Sequence, residues 1–279
     1  MKVTFFGTTT LLFDDGTDQV LFDAHLTRPS LARYICGRGE TDRALADALL
    51  EAHRVDRLRA IFISHSHHDH VMDAPHIASR CGSTIYGSPS ALNVARGGGV
   101  EESRLKAFSG GETFALGGFR ITVIPSLHSR PTLLNNDLGQ TIDAPLRQPA
   151  RLRDYKEGGS FDFLVEHLGR RFLIRPSFNA IEGQLNDITA DVLFLGIAGL
   201  AKADAATEAA FFRETVDKVR PRLVVPLHWD NFFTRLDRPV RGMPFFVERT
   251  NLALYRLTLA CEARNVDCLL QLPRTSAEL

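Results

Sequence analysis

Short apolar runs separated by polar turns open the chain and recur through it, a pattern of strands. Val3-Thr4-Phe5-Phe6-Gly7, Thr10-Leu11-Leu12-Phe13 and Gln19-Val20-Leu21-Phe22-Asp23 are three such runs, with a hairpin signal at Asp15-Gly16. Ile61-Phe62-Ile63 is a fourth, and the segment from Phe119 to Pro125 alternates as a fifth. Arg171-Phe172-Leu173-Ile174, Asp191-Val192-Leu193-Phe194-Leu195 and Leu223-Val224-Val225-Pro226-Leu227 continue the series, and Cys268-Leu269-Leu270-Gln271-Leu272 closes it as an edge strand. Helical signals lie between. Thr41 caps a helix running to Glu51, Asp73-Ala74-Pro75 opens one that Gly82 ends, and Ser88-Pro89 caps another that stops at Gly97-Gly98-Gly99. Ala205 to Val219 and Thr250 to Arg264 read as two more, the second capped by Thr250.

The fourth run opens directly into Ser64-His65-Ser66-His67-His68-Asp69-His70. Imidazole is the commonest protein ligand for a transition metal. At an extended strand end, residues two apart project to one side, so His65 and His67 close on one ion while Asp69 and His70, past the bend, reach another. A purification tag or a surface chelating tract has a similar composition, but neither fits behind a strand and ahead of a helix.

His65-x-His67-x-Asp69-His70 after a hydrophobic strand resembles the signature of the metallo-β-lactamase superfamily. The resemblance implies an α/β fold, a four-layer αββα sandwich, with further ligands at the ends of later strands. The strand-rich start and the later strand-helix alternation agree with it better than with a doubly wound sheet. His128, just past the run ending at Pro125, matches the histidine that completes the first site. His228, in His228-Trp229-Asp230-Asn231, matches the terminal histidine of the second. The implied metal set is His65, His67, Asp69, His70, His128 and His228, with Asp69 also the catalytic group. Asp23 resembles the carboxylate that steadies a ligating imidazole from behind, unless it only ends a strand in solvent.

One position departs from the family. Where many members carry a bridging aspartate, this chain reads Arg175-Pro176-Ser177-Phe178-Asn179, with Ser177 at the expected place. A hydroxyl is a poorer ligand than a carboxylate, so the second site is expected to be weaker. Asp191 is the alternative carboxylate if the alignment is shifted. Arg175, two residues before Ser177, is either a surface arginine or a binder of a substrate anion.

The 33 basic and 33 acidic residues cancel, which argues against a nucleic-acid partner and leaves a small-molecule substrate. The length of 279 residues suits one domain over the whole chain, with a helical insertion around 25–53 and a lid over 129–159. That second stretch is polar, holds Asn135-Asn136-Asp137, Gln140, Arg147, Arg151, Arg153 and Lys156, leaves directly from His128 and is expected to contribute no ligand. No apolar run of about 18 residues predicts a membrane span, and no leader pattern precedes the first strand. Cys36, Cys81, Cys261 and Cys268 show no paired short spacing, so free thiols in a cytoplasmic protein are expected, with a mature secreted form as the alternative.

A divalent ion on such ligands brings the pKa of bound water from about 15.7 towards 7. The expected activity is hydrolysis by a metal-activated hydroxide of an ester, lactone or phosphate ester, the resemblance being nearest to lactonase-like and phosphodiesterase-like branches. Zinc, one or two ions, is the first expectation, with iron or manganese as alternatives. Two rival classes are a mononuclear iron sulfur-oxidising oxygenase and a catalytically degenerate metal-binding module.

Overall fold

The computed structural model describes all residues except 132–135, and only the backbone of 34–36, so Asn135 and the Cys36 side chain lie outside the described residues. The first sheet contains β1 (Lys2–Gly7), β2 (Thr10–Asp14), β3 (Gln19–Phe22), β4 (Leu58–Phe62), β5 (Thr84–Gly87), β6 (Leu105–Ala107) and β14 (Thr275–Glu278), in the order β14-β1-β2-β3-β4-β5-β6. The second contains β7 (Thr113–Leu116), β8 (Phe119–Ser126), β9 (Ser160–His167), β10 (Arg170–Arg175), β11 (Val192–Gly196), β12 (Leu223–Leu227) and β13 (Asp267–Cys268), in the order β13-β12-β11-β10-β9-β8-β7.

Strand alternation builds the layers. Phe5, Leu11, Phe13, Val20 and Phe22 point into the core between the sheets, whereas Phe6, Leu12 and Leu21 point outward to a second apolar cluster. Across the inner core Phe13 meets Phe172 and Phe194 edge-on, with centroids 5.4 and 5.7 Å apart. The outer cluster is closed by α2 (Arg43–Ala52), α4 (Ala74–Cys81) and α5 (Pro89–Gly97), through residues such as Leu49, Ile77 and Leu92. On the second sheet α6 (Ala205–Phe212) and α7 (Thr250–Glu262) contribute Phe211, Phe212 and Leu257. The product is the expected four-layer αββα sandwich. Two short helices, α1 (Leu31–Cys36) and α3 (His68–Val71), complete the set among the described residues. Among the described residues no helix is long and apolar enough to cross a membrane.

Several element ends differ from the sequence reading. Asp42, not Thr41, caps α2 by accepting from Leu45 N, while Thr41 Oγ1 donates to the Met72 carbonyl. Thr250 lies inside α7, its hydroxyl turned to the Trp229 carbonyl. The helix from Ala205 reaches Val219 as expected, but a π turn over Arg213–Asp217 interrupts it. The closing strand is shorter than expected, and β14 then crosses to the edge of β1.

Candidate metal centre

The ligand candidates converge at the carboxyl ends of their strands. The loop after β4 carries His65 and His67, α3 carries Asp69 and His70, the end of β8 is followed by His128 and the end of β12 by His228. In a sheet of this kind that end is where chain reversals leave a crevice. Donor atoms of His65, His67 and His128 lie within 4.8 Å of one another, as do those of Asp69, His70 and His228. The two triads adjoin, since the His65 and His70 rings have centroids 3.7 Å apart.

The ring orientations fit an ion. His65 Nε2 is buried and has no hydrogen-bond partner among the described residues. His128 donates from Nδ1 to the Ser129 carbonyl at 2.9 Å, which leaves Nε2 as the lone-pair nitrogen. Asp23 Oδ2 lies 2.7 Å from His70 Nδ1 and accepts from Thr9 Oγ1 at 2.6 Å, while Asp23 Oδ1 accepts from Ser64 N at 2.8 Å. Asp23 therefore braces His70 with its Nε2 turned to Asp69, 3.6 Å away. Asp69 Oδ2 is 3.4 Å from His228 Nε2.

Electrostatics favour neutral imidazoles and an ionised carboxylate. Burial, reinforced by His70, His128 and His67, holds His65 well below the usual histidine range. Burial, then His67, pushes His128 down to about 3. Burial also opposes ionisation of Asp69, but His70, His68 and His228 outweigh it and keep its carboxyl well below the usual range.

Ser177 follows β10, two strands from β12, and is buried. Asp191 is excluded as a ligand: it stands at the opposite, amino end of β11 and accepts from Arg171 N. Arg175 does not face a substrate. Its side chain is 1% exposed and engages Asp162 at 3.3 Å, Asn179 at 2.7 Å and Gln184 at 3.1 Å. Asn179 and Gln184 in turn donate to the Leu127 and Pro125 carbonyls, so the arginine braces the turn before His128.

Three contributions carried no sequence signal as functional groups. Asp137 Oδ1 lies 3.0 Å from His67 Nε2, which as the N–H donor leaves Nδ1 to face the cluster. Arg28 and Asp230 form a buried pair at 2.8 Å beneath the His228 turn. His68, which burial pushes down to about 4, joins His67, Asp69, His128 and His228 in lining a cleft of about 1030 Å³. The described part of 129–159 borders this cleft and is stitched to the histidine loop. Ser66 N donates to the Glu157 carbonyl at 2.9 Å and Ser66 Oγ to the Lys156 carbonyl at 2.7 Å. Gly158 is required there, since its φ is +67° and a Cβ would collide with Ser66 and Ser90.

Comparison with known proteins agrees with this fold. The Beta-lactamase superfamily domain matches residues 18–229. A UPF0173 metal-dependent hydrolase of Roseiflexus castenholzii is 28% identical over 179 residues, covering 64% of this chain and 67% of the relative. Among solved structures, Igni18, a metallo hydrolase from Ignicoccus hospitalis, superposes over 100% of this chain and 98% of its own with a TM-score of 0.63 at 16% identity. CmlA, a diiron β-hydroxylase from Streptomyces venezuelae, has a TM-score of 0.65 at 13% identity, covering 100% of this chain and 54% of that one. At such identities the structural likeness speaks to the fold alone. With most of its length matched by the domain, the chain belongs to the metallo-β-lactamase superfamily.

Proposed function

We propose that the protein is a metal-dependent hydrolase of ester, lactone or phosphate-ester bonds. In this reading His65, His67 and His128 hold a first ion, and Asp69, His70 and His228 a second. The observation that carries it is the pair of adjoining triads, each with donor atoms within 4.8 Å, beside a cleft large enough for a small-molecule substrate. The relatives named as metal-dependent hydrolases support the same class.

When bound, a divalent ion, with zinc the first choice for so many imidazoles, makes water a better nucleophile and polarises the bond under attack. The chain's own groups do the rest. Asp69 stays ionised, accepts a hydrogen bond from water and orients it towards the substrate. Asp23 and Asp137 fix the His70 and His67 rings, and the neutral state of His65 and His128 means neither must shed a proton to ligate. Water adds across the scissile bond and leaves an acid and an alcohol. We read the chain as one cytoplasmic domain in which 129–159 acts as a lid that sets substrate choice, because Arg130, Asn136, Gln140, Arg153 and Lys156 of that segment border the cleft.

Metal quantification on protein purified without a metal-binding tag, joined to a panel of esters, lactones and phosphodiesters, tests the reading. The expected result is about one to two ions per chain, turnover of at least one class, and loss of most metal and nearly all activity in His67→Ala. Full metal content in His67→Ala removes the ligand assignment. A metal-replete protein that turns over none of the panel is the degenerate module, and iron content with oxygen uptake on a persulfide identifies the oxygenase.

A further inference from the structure

The cleft is broadly apolar and carries four cations beside four carboxylates. Leu31, Leu152, Phe178, Phe232, Met243 and Phe246 supply apolar wall, and Phe246 is 74% exposed at its side. Arg130, Arg153, Lys156 and Lys202 line the same space. Arg130 and Lys156 act on Asp204 and Asp137 only through space, and none of the four cations makes an ion pair among the described residues. The acids of the cleft have other contacts, apart from one buried oxygen, Glu248 Oε1, which has no partner among the described residues. Asp69 sits among histidines, Asp137 contacts His67, Asp204 caps α6 through Thr207 N, and Glu248 accepts from Gly199 N. A ligand therefore meets open cations and a broad apolar surface together.

Building on the hydrolase reading, we propose that the cleft selects an amphiphilic anion: an ester or phosphate ester with an apolar arm and, away from the scissile bond, a second anionic group. The apolar arm covers the aromatic wall, and the anionic group pairs with cations that make no ion pair among the described residues. A neutral short ester satisfies neither feature. The cleft volume, about 1030 Å³, is at the top of the ordinary range for small-molecule sites, roughly 300–1,000 Å³, and leaves room for a long arm.

The test crosses chain length with charge. Metal-loaded protein is assayed on the para-nitrophenyl esters of acetate, decanoate, hydrogen butanedioate and hydrogen decanedioate. The expected kcat/KM is highest for the decanedioate monoester, by about tenfold over decanoate and about tenfold over the butanedioate monoester. Arg130→Glu with Lys202→Glu should lower the rate on the decanedioate monoester about tenfold more than the rate on decanoate. Calorimetry on metal-free protein with dodecanoate, dodecyl phosphate and dodecanol gives a readout independent of activity. Both anions should bind more tightly than the alcohol and weaken as salt is raised, and the tighter of the two identifies a carboxylate or a phosphate head. Equal rates on neutral and charged long esters, or anion binding no tighter than that of dodecanol, overturns the proposal. Salt-sensitive anion binding by metal-loaded protein that turns over none of these esters and none of the lactones and phosphodiesters of the wider panel upholds the cleft assignment and defeats the hydrolase reading alone.

Discussion

Replacing Asp230 by asparagine isolates the buried pair under the His228 turn. Arg28 and Asp230 side chains are 3% and 1% exposed and 2.8 Å apart. Asp230 Oδ1 accepts from Thr8 N at 2.8 Å, and the Thr8 carbonyl accepts from His228 N at 2.6 Å, which holds His228 at a φ of +58°. Asp230→Asn keeps an oxygen for the Thr8 amide but leaves the guanidinium buried without its counter-charge. Breaking a buried pair from one side costs about 3–5 kcal/mol. The lower end applies, because Arg28 keeps its bond to the Phe6 carbonyl at 2.9 Å. At about 2–4 °C per kcal/mol for a chain of this size, Tm should fall by about 6–12 °C, read by circular dichroism on metal-free protein. The double variant Arg28→Met with Asp230→Leu should recover much of the loss, less about 1–3 kcal/mol for the orphaned Thr8 amide. A fall of under about 2 °C in Asp230→Asn would refute the reasoning, since a desolvated charge cannot be that cheap.

Ser177→Asp should raise second-site metal affinity in a direct titration against wild type, and identical affinity would mean that the serine is not at the bridging place. Shortening the 129–159 segment should change KM or the substrate profile while metal content falls only modestly, through the lost Asp137 contact with His67; complete loss of metal from a folded variant would mean that a ligand has been misplaced. Burial, opposed by Arg175, lifts the Asp162 carboxyl to about 6. That is above its unfolded value of about 3.9, so the folded chain holds a proton the unfolded chain has released, and stability falls as pH rises from about 4 to about 6. Urea unfolding across that window should show the slope flattened in Asp162→Asn, and an unchanged slope assigns it to another group.

The strands that frame the centre are legible because they sit between a helical layer and an inner core, so their apolar positions stand out from the turns on either side. His128 and His228 are legible for a related reason, each following such a run at a strand end. Thr41 and Asp42 are adjacent residues of equal capping chemistry, and only backbone geometry separates them. The Thr275–Glu278 strand has no apolar rhythm, and it forms because β1 offers an unpaired edge. For Arg175 the strand period gives a side but not a depth, and an arginine in sequence reads as surface until its buried partner Asp162 is seen. Asp137 lies in a polar stretch 70 residues from the histidine it touches, a contact that only the folded chain specifies.

The attachment of the 129–159 segment to the histidine loop, through Asp137 on His67 and the Lys156 and Glu157 carbonyls on Ser66, makes two equilibria into one. Whatever moves that segment also tilts a ligand ring, so a molecule that draws it down over the cleft tightens the grip on the ion. Thermodynamic reciprocity then requires the ion to tighten the grip on the molecule by the same factor. Metal starvation would thus also lower substrate affinity, and a filled cleft would protect the ion from a chelator.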